Sequence, residues 1–141
     1  MVSSRAMSKS PDASAALGRL LDVCDHLLGE SGCPWDREQT LSSITPYLQE
    51  EIWEVLDAIA RQDTDALREE TGDMFYLLVF AAALAKKEGH RIGMADILNG
   101  VAEKLIRRHP HVFGDAGAHD AEEAIRQWEE IKKTESGSST T

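Results

Sequence analysis

Five acidic residues in the middle of the chain constrain its fold more than any other feature of the sequence. They form the pattern Glu50-Glu51-x-x-Glu54, followed after a polar segment by Glu70-x-x-Asp73. On a helix, residues three or four positions apart share a face, so each group projects its carboxylates from one side. The segment 61–64 is polar and short enough to fold two helices into an antiparallel hairpin. The five carboxylates can then converge.

Carboxylates brought this close together repel one another unless a cation lies between them. Ligands of this kind suit hard divalent ions, so we expect Mg²⁺ as the cofactor, with Mn²⁺ as a substitute. A second interpretation stays open. The acids of the first group lie roughly opposite an apolar stripe, so they could be the solvated face of an ordinary amphipathic helix. The stripe consists of Leu48, Ile52, Val55, Leu56 and Ile59.

The residues that follow Asp73 favour the metal site. Segment 74–85 is apolar on every side, which predicts a helix that is buried on every side. Glu70 and Asp73 lie at its start, where carboxylates cost free energy unless they are paired or bound to a metal. Gly72 between them has no side chain to block the close approach of a neighbour.

Composition limits the classes of protein to which the chain can belong. Its 141 residues suffice for one domain with its own core. A net charge of −10 argues against a general binder of nucleic acid or of membrane surfaces, because phosphates would be repelled. Segment 74–85 is too short to span a bilayer. No secretory signal pattern is visible, so we expect a cytoplasmic protein with Cys24 and Cys33 as free thiols.

Helical periodicity and turn residues predict an all-α fold without strands. The predicted helices span about 12–28, 45–61, 64–88, 94–108 and 119–133, with Thr45 as the N-cap of the second and Gly89 as the stop of the third. We expect a four-helix bundle with an additional C-terminal helix over residues 12–134. Residues 1–11 are expected to be a disordered leader and 135–141 a disordered tail. Because large apolar groups surround segment 74–85, we expect a homodimer formed through the bundle.

Two flanking segments carry residues that could contact a substrate. In the predicted loop 29–40, Trp35 either covers an edge of the core or offers a flat apolar wall to a nucleobase. Asp36 is either a loop cap or an acceptor for a base amine. Segment 104–113 concentrates basic charge, more than capping a helix C-terminus needs.

We interpret this basic segment as a polyphosphate clamp made by Lys104, Arg107 and Arg108. Lys104 and Arg108 are four residues apart and share a helix face, and arginine matches phosphate oxygens bidentately. Trp128 and Lys132, also four apart, either add a late substrate contact or serve as packing and a solvated charge.

These motifs together resemble the MazG superfamily of all-α nucleoside triphosphate pyrophosphohydrolases. Cys33-Pro34-Trp35-Asp36-x-x-Gln39-Thr40 and segment 104–113 resemble MazG proper rather than the phosphoribosyl-ATP and dCTP pyrophosphatases. The resemblance runs from about residue 17 to 133. It implies Mg²⁺-dependent hydrolysis of an NTP or dNTP to the monophosphate and pyrophosphate, on a helical bundle that dimerises tightly. Many members carry two such domains in tandem, and the flanking motifs here look more like those of the first.

The resemblance also implies roles for individual residues. Glu51, Glu54, Glu70 and Asp73 match the metal ligands. Glu50 would be a further ligand or would orient the attacking water, which makes Glu50 and Glu51 the catalytic candidates. Lys104 and Arg108 match phosphate-contacting positions, and Trp128 and Lys132 match late positions near the substrate.

We therefore expect an enzyme that removes non-standard or surplus nucleotides from the pool. The alternative is a catalytically silent nucleotide- or metal-binding regulatory module of the same fold. A purely structural helical dimer has no use for five converging carboxylates.

Overall fold

A computed structural model describes residues 12–138, which form seven helices and no strand. The helices are α1 Ala13–Leu28, α2 Pro34–Glu38, α3 Thr45–Ala60, α4 Thr64–Lys87, α5 Met94–Arg108, α6 Pro110–Phe113 and α7 Ala121–Ser138. The all-α prediction is confirmed. The predicted leader 1–11 and residues 139–141 of the predicted tail lie outside the described residues. Within 12–138, none of the helices combines the length and the apolar character that a membrane span requires.

The described residues divide into two compact units, 12–93 and 94–138. In the first unit, α4 packs against α1 and α3, and the short α2 packs against α1. In the second, α5 packs against α6 and α7. The prediction of one four-helix bundle therefore stays a prediction, since each unit has its own set of packed helices.

The core of the first unit is built mainly by α4. Val79, Phe80 and Leu84 are at most 2% exposed. Cys24 from α1 and Ile44 from the loop before α3 are just as deeply buried. These side chains hold α3 and α4 in fixed register, and that register places the acidic residues described below.

The expectation that α4 is buried on every side is wrong for this chain by itself. Phe75 is 42% exposed and Leu78 is 52% exposed, because α1 and α3 cover only part of the helix surface. The apolar stripe of α3 is also open, with Ile52, Leu56 and Ile59 each about half exposed. Large apolar surface therefore remains uncovered on both helices.

The ends of the long helices follow their cap chemistry. The Asp12 carboxylate accepts a hydrogen bond from the Ser14 amide at 3.0 Å and so starts α1. Asp63 does the same for α4, accepting from the Ala66 amide at 3.0 Å. After α4, Gly89 has a φ of +93°, a left-handed conformation in which glycine is favoured, as the sequence predicted.

The start of α3 differs from its prediction by one residue. Thr45 is the first helical residue and Ile44 occupies the cap position without a side-chain hydrogen bond. The Thr45 hydroxyl donates to the Ser42 carbonyl at 2.9 Å, and Thr45 lies one position past the cap. The spacing of residues in the sequence does not show that the Thr45 hydroxyl bonds to a carbonyl of the preceding turn.

The predicted loop 29–40 contains the five-residue helix α2. The turn before it needs glycine, because a Cβ at Gly32 would lie 2.1 Å from the Leu27 carbonyl oxygen. Two hydrogen bonds tie this region to the end of α4: Lys87 Nζ donates to the Arg37 carbonyl at 2.6 Å, and the Leu41 amide donates to Glu88 Oε2 at 2.9 Å. The segment that carries Trp35 and Asp36 is thus anchored to the core.

The last two elements also differ from their predictions. The predicted loop 109–118 contains α6, which has a proline in its first turn. Helix α7 continues to Ser138, whereas the sequence predicts an end at Lys133. Glu135, beyond the predicted end, forms ion pairs with two arginines of α5.

Candidate functional site

Three carboxylates from α3 and α4 meet in the first unit. One oxygen each from Glu51, Glu70 and Asp73 lies within 4.8 Å of the others. The tight turn between the helices fixes their register: Arg61 pairs with Asp57 at 2.8 Å and with Asp63 at 3.1 Å. The predicted hairpin therefore forms, and it brings both acidic groups together.

Glu51 is the most perturbed of these acids. Its Oε2 atom is buried and accepts no hydrogen bond from any described residue. Burial, a side-chain hydrogen bond with Glu70 and the charges of Asp73, Glu70 and Glu54 together raise the pKa of Glu51 from 4.5 to about 7. Such a group is costly to ionise unless a cation joins it.

The other two acids predicted for the site lie outside this cluster. Glu50 and Glu54 are exposed, and neither belongs to the group of oxygens within 4.8 Å. Glu54 still acts on the site through its charge, which contributes to the raised pKa of Glu51. Gly72 has open space around it, so the expected close approach of a neighbour is absent among the described residues.

The orientation of α3 weighs against the solvated-face interpretation of the acids. Glu51 is partly buried beside α4, whereas Ile52 and Leu56 of the apolar stripe are 48% and 47% exposed. An ordinary amphipathic helix would show the reverse arrangement. The helix instead turns its central carboxylate towards its neighbour.

A cavity of about 230 Å³ adjoins the acidic cluster and includes two of its members. Glu51 and Asp73 line it together with Trp35 and Asp36, so the structure unites the predicted metal and base-contact residues. Tyr47 and Tyr76 also line it and were missed by the sequence analysis. The signal was present: Tyr47 is four residues before Glu51 and Tyr76 three after Asp73, which puts each on the face of its acid.

The aromatic rings of this cavity are held by their neighbours. Trp35 meets Tyr47 edge to face, with centroids 5.8 Å apart, and is itself 51% exposed. Tyr76 stacks on the buried Phe80 at 5.7 Å. Burial and, to a lesser extent, the charge of Asp36 raise the pKa of Tyr76 to about 12, so the hydroxyl stays protonated.

The basic residues form a separate arrangement within the second unit. Glu135 pairs with both Arg107 and Arg108, the latter through its Nη2 at 2.7 Å and its Nε at 3.1 Å. The Arg108 guanidinium also lies over the Trp128 ring, 5.1 Å from its centroid. This contact of Arg108 with Trp128 was not predicted, and Glu135 already pairs with both arginines.

Lys104 and Lys132 are exposed, and no residue of 12–138 forms an ion pair with either. Glu135 was not predicted as a partner of the arginines of α5 because it fell in the predicted tail. Its position seven residues after Trp128 is the signal that could have placed it on the same face of α7.

The fold and the site define an all-α protein with a carboxylate cluster suited to divalent metal beside a small aromatic cavity. Residues 39–113 match the model of the MazG nucleotide pyrophosphohydrolase domain. The chain belongs to this family.

Relatives agree with this assignment. The chain is 49% identical over 120 residues to the nucleoside triphosphate pyrophosphohydrolase of Escherichia coli (strain K12), covering 84% of the chain and 45% of that protein. It is 40% identical over 126 residues to the nucleoside triphosphate pyrophosphohydrolase/pyrophosphatase MazG of Thermotoga maritima, covering 89% and 48%. The chain thus spans about half the length of these relatives. The crystal structure of a mazG-related protein from Thermotoga maritima superposes with a TM-score of 0.70 at 34% identity, covering 82% of this chain and 97% of that one.

Proposed function

We propose that the chain is an Mg²⁺-dependent hydrolase that converts an NTP or dNTP to the monophosphate and pyrophosphate. The observation that carries this proposal is the cavity in which Trp35 and Asp36 adjoin the clustered carboxylates of Glu51 and Asp73. The names of the relatives in Escherichia coli and Thermotoga maritima support the activity. Removal of non-standard or surplus nucleotides is the role we propose for it.

The residues present fit a divalent ion. All three donors are carboxylate oxygens, the class that Mg²⁺ and Mn²⁺ prefer, and the buried Oε2 of Glu51 has no other partner among the described residues. Glu51, Glu70 and Asp73 would hold the ion, with Glu54 close enough to add charge. Bound Mg²⁺ supplies charge neutralisation for the phosphates and activation of water.

The chain's own groups would divide the remaining tasks. Trp35 offers a flat face on which the base can lie. Glu51 must give up its proton when the ion binds, because its pKa lies near neutrality. Glu50, exposed and next in sequence, would orient the attacking water at the α-phosphorus. Considered by itself, the second unit offers basic groups in Lys104, Arg107 and Arg108, and an anion that binds the two arginines must displace Glu135.

Turnover in ¹⁸O-labelled water tests the reaction. With Mg²⁺, we expect NTPs to yield the monophosphate carrying the label, together with unlabelled pyrophosphate. Chelation should stop turnover and Mn²⁺ should restore it. Label in orthophosphate with a diphosphate product would refute the pyrophosphohydrolase assignment. No turnover with intact nucleotide binding would favour a silent regulatory module.

The Asp73→Asn variant tests the metal site directly. Removing one anionic ligand should weaken Mn²⁺ binding, measured by titration calorimetry, by about tenfold or more and lower kcat by at least the same factor. Asp65→Asn is the matched control, because Asp65 is exposed on the same helix and pairs with Arg68 in its own turn. Equal binding by the two variants would remove Asp73 from the ligand set.

A further inference from the structure

The cavity beside the acidic cluster has the size of one nucleobase rather than of a whole nucleotide. Its volume is about 230 Å³. Sites for drug-sized ligands occupy about 300–1,000 Å³. Trp35 is half exposed there, and its ring and the Tyr47 ring meet edge to face. The site is therefore built to take a flat ring and to leave sugar and phosphates outside.

Asp36 puts an uncompensated carboxylate into the wall of this cavity. The residue is partly buried, and no side chain or amide in residues 12–138 donates a hydrogen bond to its carboxylate. The guanidinium of the neighbouring Arg37 donates to the Glu30 carbonyl at 3.1 Å instead of to Asp36. The charge of Asp36 raises the pKa of both Tyr76 and Cys24, which places the carboxylate on the inner side of α2.

An ionised carboxylate can accept hydrogen bonds but cannot donate them. The exocyclic amines of adenine and cytosine would donate to it, whereas the carbonyl oxygens at the same ring positions of hypoxanthine and uracil would be repelled. A site built around a hydrogen bond from this amine rejects a base that lacks the amine. The carboxylate of the protein would then be left without a hydrogen-bond donor.

We infer that Asp36 makes this cavity selective for nucleobases that carry an exocyclic amine, and not a carbonyl, at position 6 of a purine or position 4 of a pyrimidine. The inference rests on the proposed function, whose substrate class it narrows. A cleaning role for such a site would concern surplus or modified bases that keep the amine, and deaminated bases would be poor substrates.

Matched substrate pairs test the selection. ATP and ITP differ at position 6 of the purine, and CTP and UTP at position 4 of the pyrimidine. We expect kcat/KM to favour ATP over ITP and CTP over UTP by about tenfold or more, as a charge-assisted hydrogen bond implies. Asp36→Asn, whose amide both donates and accepts, should narrow both ratios to about twofold. Glu38→Gln is the control: it removes the same charge from an exposed position of α2 and should keep both ratios.

Binding of AMP and IMP, measured by titration calorimetry, separates this inference from the proposed activity. Tighter binding of AMP by the wild-type protein, lost in Asp36→Asn, would support base selection even if no triphosphate were hydrolysed. Equal binding of AMP and IMP, or binding of neither, would overturn it. Discrimination that persists in Asp36→Asn would overturn the role of Asp36, and a circular dichroism spectrum like that of the wild type would exclude misfolding as the cause of any loss.

Discussion

The carboxylate of Glu51 destabilises the metal-free protein when it ionises, and the same carboxylate is a proposed metal ligand. Its folded-state pKa of about 7 lies above the ordinary value of 4.5. Between these two values the folded protein binds more protons than the unfolded chain, so stability falls as pH rises through that window. Above pH 7 the metal-free protein has lost all of the folding stability that depends on protonation of Glu51.

We expect Glu51→Gln to raise the stability of the metal-free protein at pH 8 and to have little effect near pH 4.5. Glutamine cannot ionise, and its amide can donate to the Glu70 carboxylate. Because Glu51 is only partly buried, the gain should be about 1 kcal/mol. Thermal melts in chelator at both pH values provide the measurement.

Glu50→Gln is the control for this experiment, since it removes the same charge from an exposed neighbour outside the cluster. Its stability should follow that of the wild type at both pH values. A loss of stability in Glu51→Gln at pH 8 would mean that the carboxylate is needed for packing rather than for a cation.

The contact between α5 and α7 depends on a second acid with the opposite shift. The Arg108 and Arg107 guanidinium groups hold the pKa of Glu135 below its usual 4.5. Its contribution to stability is therefore complete above pH 4.5 and is lost as the pH falls through the lowered value. These ion pairs join the last turns of α7 to α5.

We expect Glu135→Gln to speed amide hydrogen exchange in residues 131–136 at pH 7, because the carboxylate that joins α7 to α5 is gone. At a pH below the lowered pKa of Glu135, the variant and the wild type should exchange alike. Glu129→Gln, an exposed charge on the same helix, is the control and should leave exchange unchanged at both pH values. Protection that survives in Glu135→Gln would show that apolar packing, and not the ion pairs, holds the helix end.

At the level of elements, much of the fold could be predicted from the sequence. The bounds of α1, α4 and α5 agree with the predicted ones within about two residues, because their caps and periodicity act locally. Short helices such as α2 and α6 were missed, since one or two turns leave no periodic signal. Helix α7 was cut short because its last residues look like a polar tail until the partners of Glu135 are known.

For the candidate site, too, some contacts could be predicted from the sequence and others could not. Spacing placed Glu51, Glu70 and Asp73 together correctly, because helix geometry and a short turn determine that approach. It also grouped Glu50 and Glu54 with them, since a helical wheel shows a sector and not a distance. The union of Trp35 with the acids depends on how α2 is anchored to the end of α4, a long-range contact that no local pattern encodes.

At the scale of the whole molecule, the main feature still to be explained is the apolar surface that is exposed to water. In the first unit, Trp53 on α3 is 70% exposed and Leu78 on α4 is 52% exposed. Monomers seldom leave contiguous apolar surface of more than a few hundred Å² open to water. A two-fold interface of about 800 Å² per partner would cover surface of this kind. We therefore propose that the protein is an obligate homodimer.

Two adjacent residues of α4 allow a sharp test of this dimer. Leu78→Glu puts a charge on open surface, so we expect a folded monomer with reduced activity. Val79 is 2% exposed within its own chain, so Val79→Glu should unfold the protein instead, at a cost of several kcal/mol. Sedimentation at micromolar concentration, with circular dichroism to report helix content, separates the two outcomes. A wild-type protein that is fully active as a stable species near 15.6 kDa, or a Leu78→Glu variant that remains dimeric, would show that this surface is not the interface.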